Sequence, residues 1–288
     1  MSNDEITRRD FVTMTVAAGI GAATVNASAQ QPVTETNVAI KTQDGTCDAA
    51  FIHPTTGSHP AVLIWPDAFG LRPSMRELGR RLAGAGYSVL VPNPFYRVAK
   101  APVFENAANF NFGDPEQRGK LTPLMGSINA AGAAERDAAA FIAWLDAQGQ
   151  VDRSRKIGTQ GYCMGGPLVV KTAAAAPNRI GAGASFHGGQ LVTANPDSPH
   201  LLAPKITARM YFGIAANDDA QQPDAKTKLK EAFDSAKVPA EIEVYSQAQH
   251  GWCVPDMPLQ ANGEPIYNKA EAERAWGKLL ALYKAALS

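Results

Sequence analysis

Beyond the first thirty residues, short apolar runs alternate with longer stretches of helical spacing. Segments 37–41 and 47–53 flank Gln43-Asp44-Gly45, a turn signal between strand-like runs that predicts a β-hairpin. Ala61-Val62-Leu63-Ile64-Trp65 is unbroken apolar sequence ended by Pro66, as expected of a strand covered on both faces. Pro73 suits the first position of a helix; Met75, Leu78 and Leu82 keep helical spacing, and Gly84 and Gly86 end it. Residues 87–91 predict the next buried strand. From Pro92 to Gly126 the chain is rich in Pro, Asn, Phe and Gly, and it reads as a long irregular excursion near a functional site. Strands are then predicted at 156–160, 180–186, 208–214 and 241–245, and helices at 130–147, 164–176, 224–236 and 269–287. Such alternation builds a mostly parallel central sheet with helices on both faces, an α/β fold. No repeat or composition break divides residues 30–288, so a single domain is expected.

Composition narrows the function. Of 288 residues, 45% are hydrophobic and 19% charged, the profile of a compact domain. Lys plus Arg equals Asp plus Glu at 27 each, and no basic block stands out, so nucleic acid is excluded as a partner. Residues 1–29 have the order of an export signal of the twin-arginine type. Arg8-Arg9 precede Phe11, a modestly apolar stretch runs from Val12 to Val25, and Ala27-Ser28-Ala29 supplies a cleavage signal. The apolar stretch is too short and too weakly hydrophobic to anchor the mature chain in a membrane. A periplasmic or secreted protein is expected. The three cysteines, Cys47, Cys163 and Cys253, are an odd number, so at least one thiol stays free. A Cys47–Cys253 disulfide is the pairing that leaves Cys163 available.

The sharpest chemical signal is Gly161-Tyr162-Cys163-Met164-Gly165-Gly166, set between a predicted strand and a predicted helix. A Gly-x-nucleophile-x-Gly turn strains its central residue and lifts that side chain above the carboxyl edge of the sheet. The helix that follows aims free N–H groups at the sulfur, which favours a thiolate and a developing oxyanion. The bland alternative is a small buried cysteine in a glycine-rich turn. A thiol nucleophile needs a proton acceptor. His250, in Gln249-His250-Gly251-Trp252 after the last predicted strand, is the leading candidate, and His187 is its rival. His53, His59 and His200 lie in proline-bounded segments and are expected to be solvated. The loop after the penultimate strand offers Asp218 as the acid that orients the histidine, with Asp219 as the alternative; either aspartate could instead cap a helix. Nucleophile, acid and histidine then follow the chain order of α/β-hydrolases.

With Asp67-Ala68-Phe69-Gly70-Leu71 and His250-Gly251-Trp252, these residues resemble the dienelactone hydrolases (carboxymethylenebutenolidases) across nearly the whole chain after the signal. The resemblance implies an eight-stranded single-domain α/β-hydrolase, a Cys163–Asp218–His250 triad, and neither metal nor organic cofactor. It implies an oxyanion hole from the N–H groups of Ala68 and Met164. Asp67 stands where characterised members carry a glutamate that activates the thiol, and Arg97 resembles the first of two arginines that grip a substrate carboxylate. The second position holds Val254. Phe69, Trp252, Trp65 and the aromatic residues Phe95, Tyr96, Phe104, Phe110 and Phe112 are candidates for pocket wall or core. The expected activity is hydrolysis of small-molecule esters or enol-lactones by acyl transfer through Cys163. The runner-up is a non-catalytic small-ligand-binding protein on the same fold. A thiol redox protein is disfavoured because Cys163 lacks a Cys-x-x-Cys partner.

Overall fold

The computed structural model describes residues 31–288. Strands β1 (Val33–Thr42) and β2 (Gly45–Pro54) form the expected hairpin, with Thr42 opposite Gly45 and Gln43-Asp44 at its tip. β3 (Ala61–Trp65) is buried throughout, and α1 (Pro73–Gly84) carries the chain to β4 (Ser88–Pro92). After α2 (Pro115–Asn129) and α3 (Ala133–Asp146) come β5 (Ile157–Tyr162), α4 (Gly165–Ala175) and β6 (Ile180–Phe186). A 3-10 segment at Pro199–Lys205 precedes β7 (Arg209–Ala215), α5 (Ala216–Gln221), α6 (Ala225–Ser235), β8 (Ala240–Tyr245) and α7 (Lys269–Ala286).

The eight strands form one sheet in the order β1-β2-β4-β3-β5-β6-β7-β8. Pairings from β4 through β8 are parallel, whereas β2 is antiparallel to both β1 and β4. From β3 the chain steps one way to β4 and later returns to the other side of β3 as β5. This reversal opens a crevice at the carboxyl ends of β3 and β5, where open α/β sheets bind ligands. The period of two is visible in β2: Cys47, Ala49 and Phe51 enter one apolar cluster, and Ala50 and Ile52 enter the other. Side chains of α2, α3, α4 and α6 fill the first cluster, and those of α1 and α7 fill the second, so helices cover both faces.

Three elements depart from the sequence pattern. The second half of the excursion after Pro92 is the helix α2. Asp114 caps it by accepting the Glu116 N–H at 2.9 Å, and Leu121, Leu124 and Ile128 are its buried stripe. Gly119, Pro123 and Gly126 mask that stripe in sequence. The short α5 and the 3-10 segment lie where loops were expected. His53 is not solvated: it is buried at the end of β2, against the Phe51 ring at 5.0 Å. Cys47 and Cys253 do not pair, since they belong to the two different clusters, and all three thiols are free. The export-signal expectation for residues 1–29 lies outside the described residues. Among the described residues no helix is long and apolar enough to cross a membrane.

Candidate active site

Cys163 sits between β5 and α4 with φ +51°, the left-handed region that non-glycine residues avoid. The glycines around it explain how the turn closes. A Cβ on Gly161 would lie 2.2 Å from the Gly165 carbonyl oxygen, and one on Gly165 would lie 2.3 Å from the Trp65 carbonyl oxygen. The turn is therefore pressed against the end of β3, and only hydrogen side chains fit between. Cys163 is half-buried, at the amino end of α4. Among the described residues, neither the Met164 nor the Ala68 N–H donates to a protein acceptor, so both remain available to an incoming oxygen.

His250 follows β8. Its Nδ1 lies 2.8 Å and 3.0 Å from the two Asp218 carboxylate oxygens. Its backbone N–H donates to Asn217 Oδ1 at 2.8 Å, which ties the histidine loop to α5. Asp219 turns away to Lys226 at 2.6 Å, so Asp218 is the acid beside the imidazole. Burial alone would push His250 down, but the adjoining Cys163 sulfur and Asp218 carboxylate reverse this and raise it to about 10. His187 does not replace His250; it lies against it, with ring centroids 5.0 Å apart. Burial and the His250 charge hold His187 well below the ordinary histidine range.

Cys163, His187, Asp218 and His250 line one cavity of about 820 Å³, whose apolar wall includes Phe69, Phe112, Leu191 and Met257. Cys163 also lines a neighbouring cavity of about 410 Å³, with Met125, Met164, Pro167 and Lys171 among its walls. Pro167 and Lys171 follow Cys163 at spacings of four, on one face of α4. The sulfur thus stands where two compartments meet. Phe69 packs on Phe104, Phe110 and Phe112 at 5.0–5.9 Å, so the excursion supplies one rim of the larger cavity. Trp65 and Phe95 are core, and Tyr96 hydrogen-bonds Asp137 at 2.7 Å.

Three site expectations need correction. Asp67 lines the larger cavity, but its carboxylate is held by Arg72 at 2.7 Å and 3.0 Å and accepts the Phe69 N–H at 2.9 Å. Both oxygens are engaged by Arg72 and the Ala68–Phe69 loop, and neither hydrogen-bonds the Cys163 thiol. Arg97 is not in either cavity wall. It forks Asp137 at 2.7 Å and 2.8 Å, pairs with Asp44 at 2.7 Å, and so fastens the β-hairpin to α3. Trp252 is fully buried, stacked on Tyr245 at 4.7 Å and edge-on to His187 at 5.0 Å; it supports the site from beneath.

Sequence reading missed Arg72, Asp256 and Asn217. Arg72 is completely buried between Asp67 and Asp256, binding the second carboxylate at 2.7 Å and 2.8 Å. Nothing in sequence links positions 72 and 256; the one available signal was an arginine five residues after Asp67. Among the described residues no group of three His, Cys, Asp or Glu side chains is arranged to hold a metal ion.

A sheet of this topology, with a Gly-x-Cys-x-Gly turn after β5, an aspartate after β7 and a histidine after β8, defines an α/β-hydrolase. Residues 47–287 match the dienelactone hydrolase family, and the chain belongs to that family. The carboxymethylenebutenolidase of Rhodococcus opacus is 27% identical over 248 residues, covering 83% of this chain and 87% of that protein. A dienelactone hydrolase-like promiscuous phosphotriesterase from metagenomic libraries superposes with a TM-score of 0.71 at 23% identity, covering 89% of this chain and 99% of the other. The dienelactone hydrolase of Anabaena variabilis gives a TM-score of 0.60 at 16% identity, covering 89% and 99%. At these identities the structural likenesses speak for the fold.

Proposed function

We propose that this protein hydrolyses carboxylic esters or lactones through a covalent intermediate on Cys163, with His250 moving the proton and Asp218 orienting it. The observation that carries the reading is a cysteine forced to φ +51° at a helix amino end, in one cavity with a carboxylate-bound histidine. In the proposed cycle the sulfur reacts as the thiolate with its proton held by His250, whose imidazole is raised by Cys163 and Asp218. The sulfur lone pair forms a bond to the carbonyl carbon, and the carbonyl π pair moves onto oxygen, facing the Ala68 and Met164 N–H groups. Collapse of this tetrahedral species breaks the carbon–oxygen single bond. The departing alkoxide takes the His250 proton. Water then attacks the thioester, gives its proton to His250, and the carbon–sulfur bond breaks to restore the thiolate. With a lactone, the alkoxide stays tethered to the acyl group and a single hydroxy acid leaves.

The preferred substrates are neutral and partly apolar on the side of the larger cavity. Each charged side chain lining that cavity is already paired: Asp67 with Arg72, Asp218 with His250, and Asp219 with Lys226. The arginine expected to grip a substrate carboxylate is engaged elsewhere. These pairings separate the substrate preference proposed here from the dienelactone carboxylate. The test is hydrolysis of a 4-nitrophenyl ester by the wild type and by Cys163→Ala, with intact-protein mass measured during turnover. An acyl adduct on the wild type, and loss of both adduct and turnover in Cys163→Ala, is expected. Turnover retained by the variant removes Cys163 from the mechanism.

A further inference from the structure

We infer that His187 is a positioning residue, which registers the Cys163 turn against His250 by holding the nucleophile's backbone with one ring nitrogen and the base with its ring face. This rests on the roles of Cys163 and His250 proposed above. His187 begins the loop after β6, and its own N–H donates to the Gly213 carbonyl of β7 at 2.8 Å, so its backbone is fixed by the sheet. Its Nδ1 accepts the Cys163 N–H at 3.1 Å, a bond shared with the Phe186 carbonyl at 3.1 Å. The ring meets His250 edge to face at 5.0 Å and Trp252 likewise at 5.0 Å. Trp252 is itself stacked on Tyr245, so the His187 ring has a rigid backing.

The chemistry of the ring is dictated by these contacts. A backbone N–H only donates, so Nδ1 must be unprotonated, and a neutral His187 carries its proton on Nε2. That Nε2 is buried without a partner among the described residues, and the residue holds φ +42°, left-handed and non-glycine like Cys163. Two unfavourable features persist on one residue whose polar contact is the nucleophile's own N–H. Packing is equally tight: a Cβ on Gly166 of the nucleophile turn would lie 2.5 Å from the Gly188 Cα. The titratable groups facing the ring are Cys163, His250 and, at 5.9 Å, Tyr162; Asp218 reaches it only through His250. A proton on Nδ1 would destroy the Cys163 contact and set a second positive charge against His250. Neutrality of this ring is therefore part of the arrangement.

The test compares His187→Leu, His187→Asn and His187→Gln. Asparagine places an acceptor oxygen where Nδ1 stands, glutamine places it one bond further, and leucine has none. The readouts are kcat and KM for a 4-nitrophenyl ester, and the pH dependence of Cys163 alkylation by iodoacetamide, which needs no turnover. Expected for leucine is a fall in kcat of about tenfold or more with little change in KM. Its alkaline limb, set by His250, should move down toward the ordinary histidine range. Asparagine should recover most of kcat and the wild-type limb, and glutamine should not. A leucine variant with unchanged kcat and pH profile overturns the inference, as does an asparagine variant no better than glutamine. That second comparison decides alone if circular dichroism shows the leucine variant unfolded. Failure here with Cys163→Ala still inactive would leave the proposed reaction standing and remove only the role of His187.

Discussion

Cys163 is half-buried beside an imidazole, whereas Cys47 and Cys253 are buried in apolar surroundings that push both thiols up. Thiolate, not thiol, is the species that alkylates. Iodoacetamide at neutral pH should therefore modify Cys163 well ahead of the other two, whose thiols burial raises, and a peptide map with Cys47 or Cys253 labelled first would contradict the proposed role of Cys163. His250 sets the other residue-level prediction. Its imidazole, opposed by burial but held charged by Cys163 and Asp218, is raised to about 10. A raised histidine contributes its charge-linked stability in full below the unfolded value of about 6.5, and this is lost as pH climbs toward 10. Activity should likewise persist through neutral pH and decline above about 10 as the proton needed by the leaving group disappears. Asp218→Asn removes one of the two supporting partners. It should lower kcat about a hundredfold or more and shift that limb downward in a kcat/KM profile against pH. An unmoved limb would mean that Asp218 does not hold the charge. The grouping of Cys163, Asp218 and His250 around one cavity was legible because residue type, chain order and position after a strand all agree. Arg97 misled because its resemblance to a substrate-gripping arginine does not reveal Asp44 and Asp137, which meet it from 53 and 40 residues away.

At the scale of elements, the strands were legible where they are mostly or wholly buried. β3 at Ala61–Trp65 is buried throughout and β6 at Ile180–Phe186 at all but Gly181, and both fall where the sequence placed them. Helices α2 and α5 were hidden, because Gly119, Pro123 and Gly126 interrupt one and the run Asn217-Asp218-Asp219 reads as a turn. In the structure both aspartates of that run sit in the first turn of α5, where acidic side chains favour a helix start. The same elements separate glycines that the fold requires from glycines that it tolerates. An alanine at Gly161 or Gly165 drives a methyl group into backbone oxygen at 2.2–2.3 Å, which no rotamer change relieves. Each substitution should cost about 3 kcal/mol in urea unfolding and displace the Cys163 turn enough to abolish turnover. Gly126, inside α2, meets nothing within 4 Å, and Gly126→Ala should stabilise by roughly 0.5–1 kcal/mol. A reversal of that order would mean that the turn is not packed as described.

Considered as one molecule, the sheet divides the interior into two apolar clusters, and that division settles the cysteine chemistry. Cys47 is sealed in one cluster and Cys253 in the other, so no rearrangement short of unfolding brings them together. Buried Arg72, between Asp67 and Asp256, joins the loop after β3 to the segment leading into α7. All three thiols are free, and the half-buried one is the proposed nucleophile. This bears on where the protein works, because an oxidising compartment would threaten Cys163 alone. We propose that residues 1–29 direct export, on the strength of Arg8-Arg9, the weakly apolar stretch after them and Ala27-Ser28-Ala29. Replacing Arg8 and Arg9 together with lysine preserves charge but removes the paired arginines. The full-length precursor should then accumulate inside the cell, whereas the wild type should appear outside the cytoplasm, shortened to a chain starting near Gln30. Immunoblots of cell fractions and the amino-terminal sequence of the exported form check both points, and an unchanged distribution of the double variant would rule out a twin-arginine address.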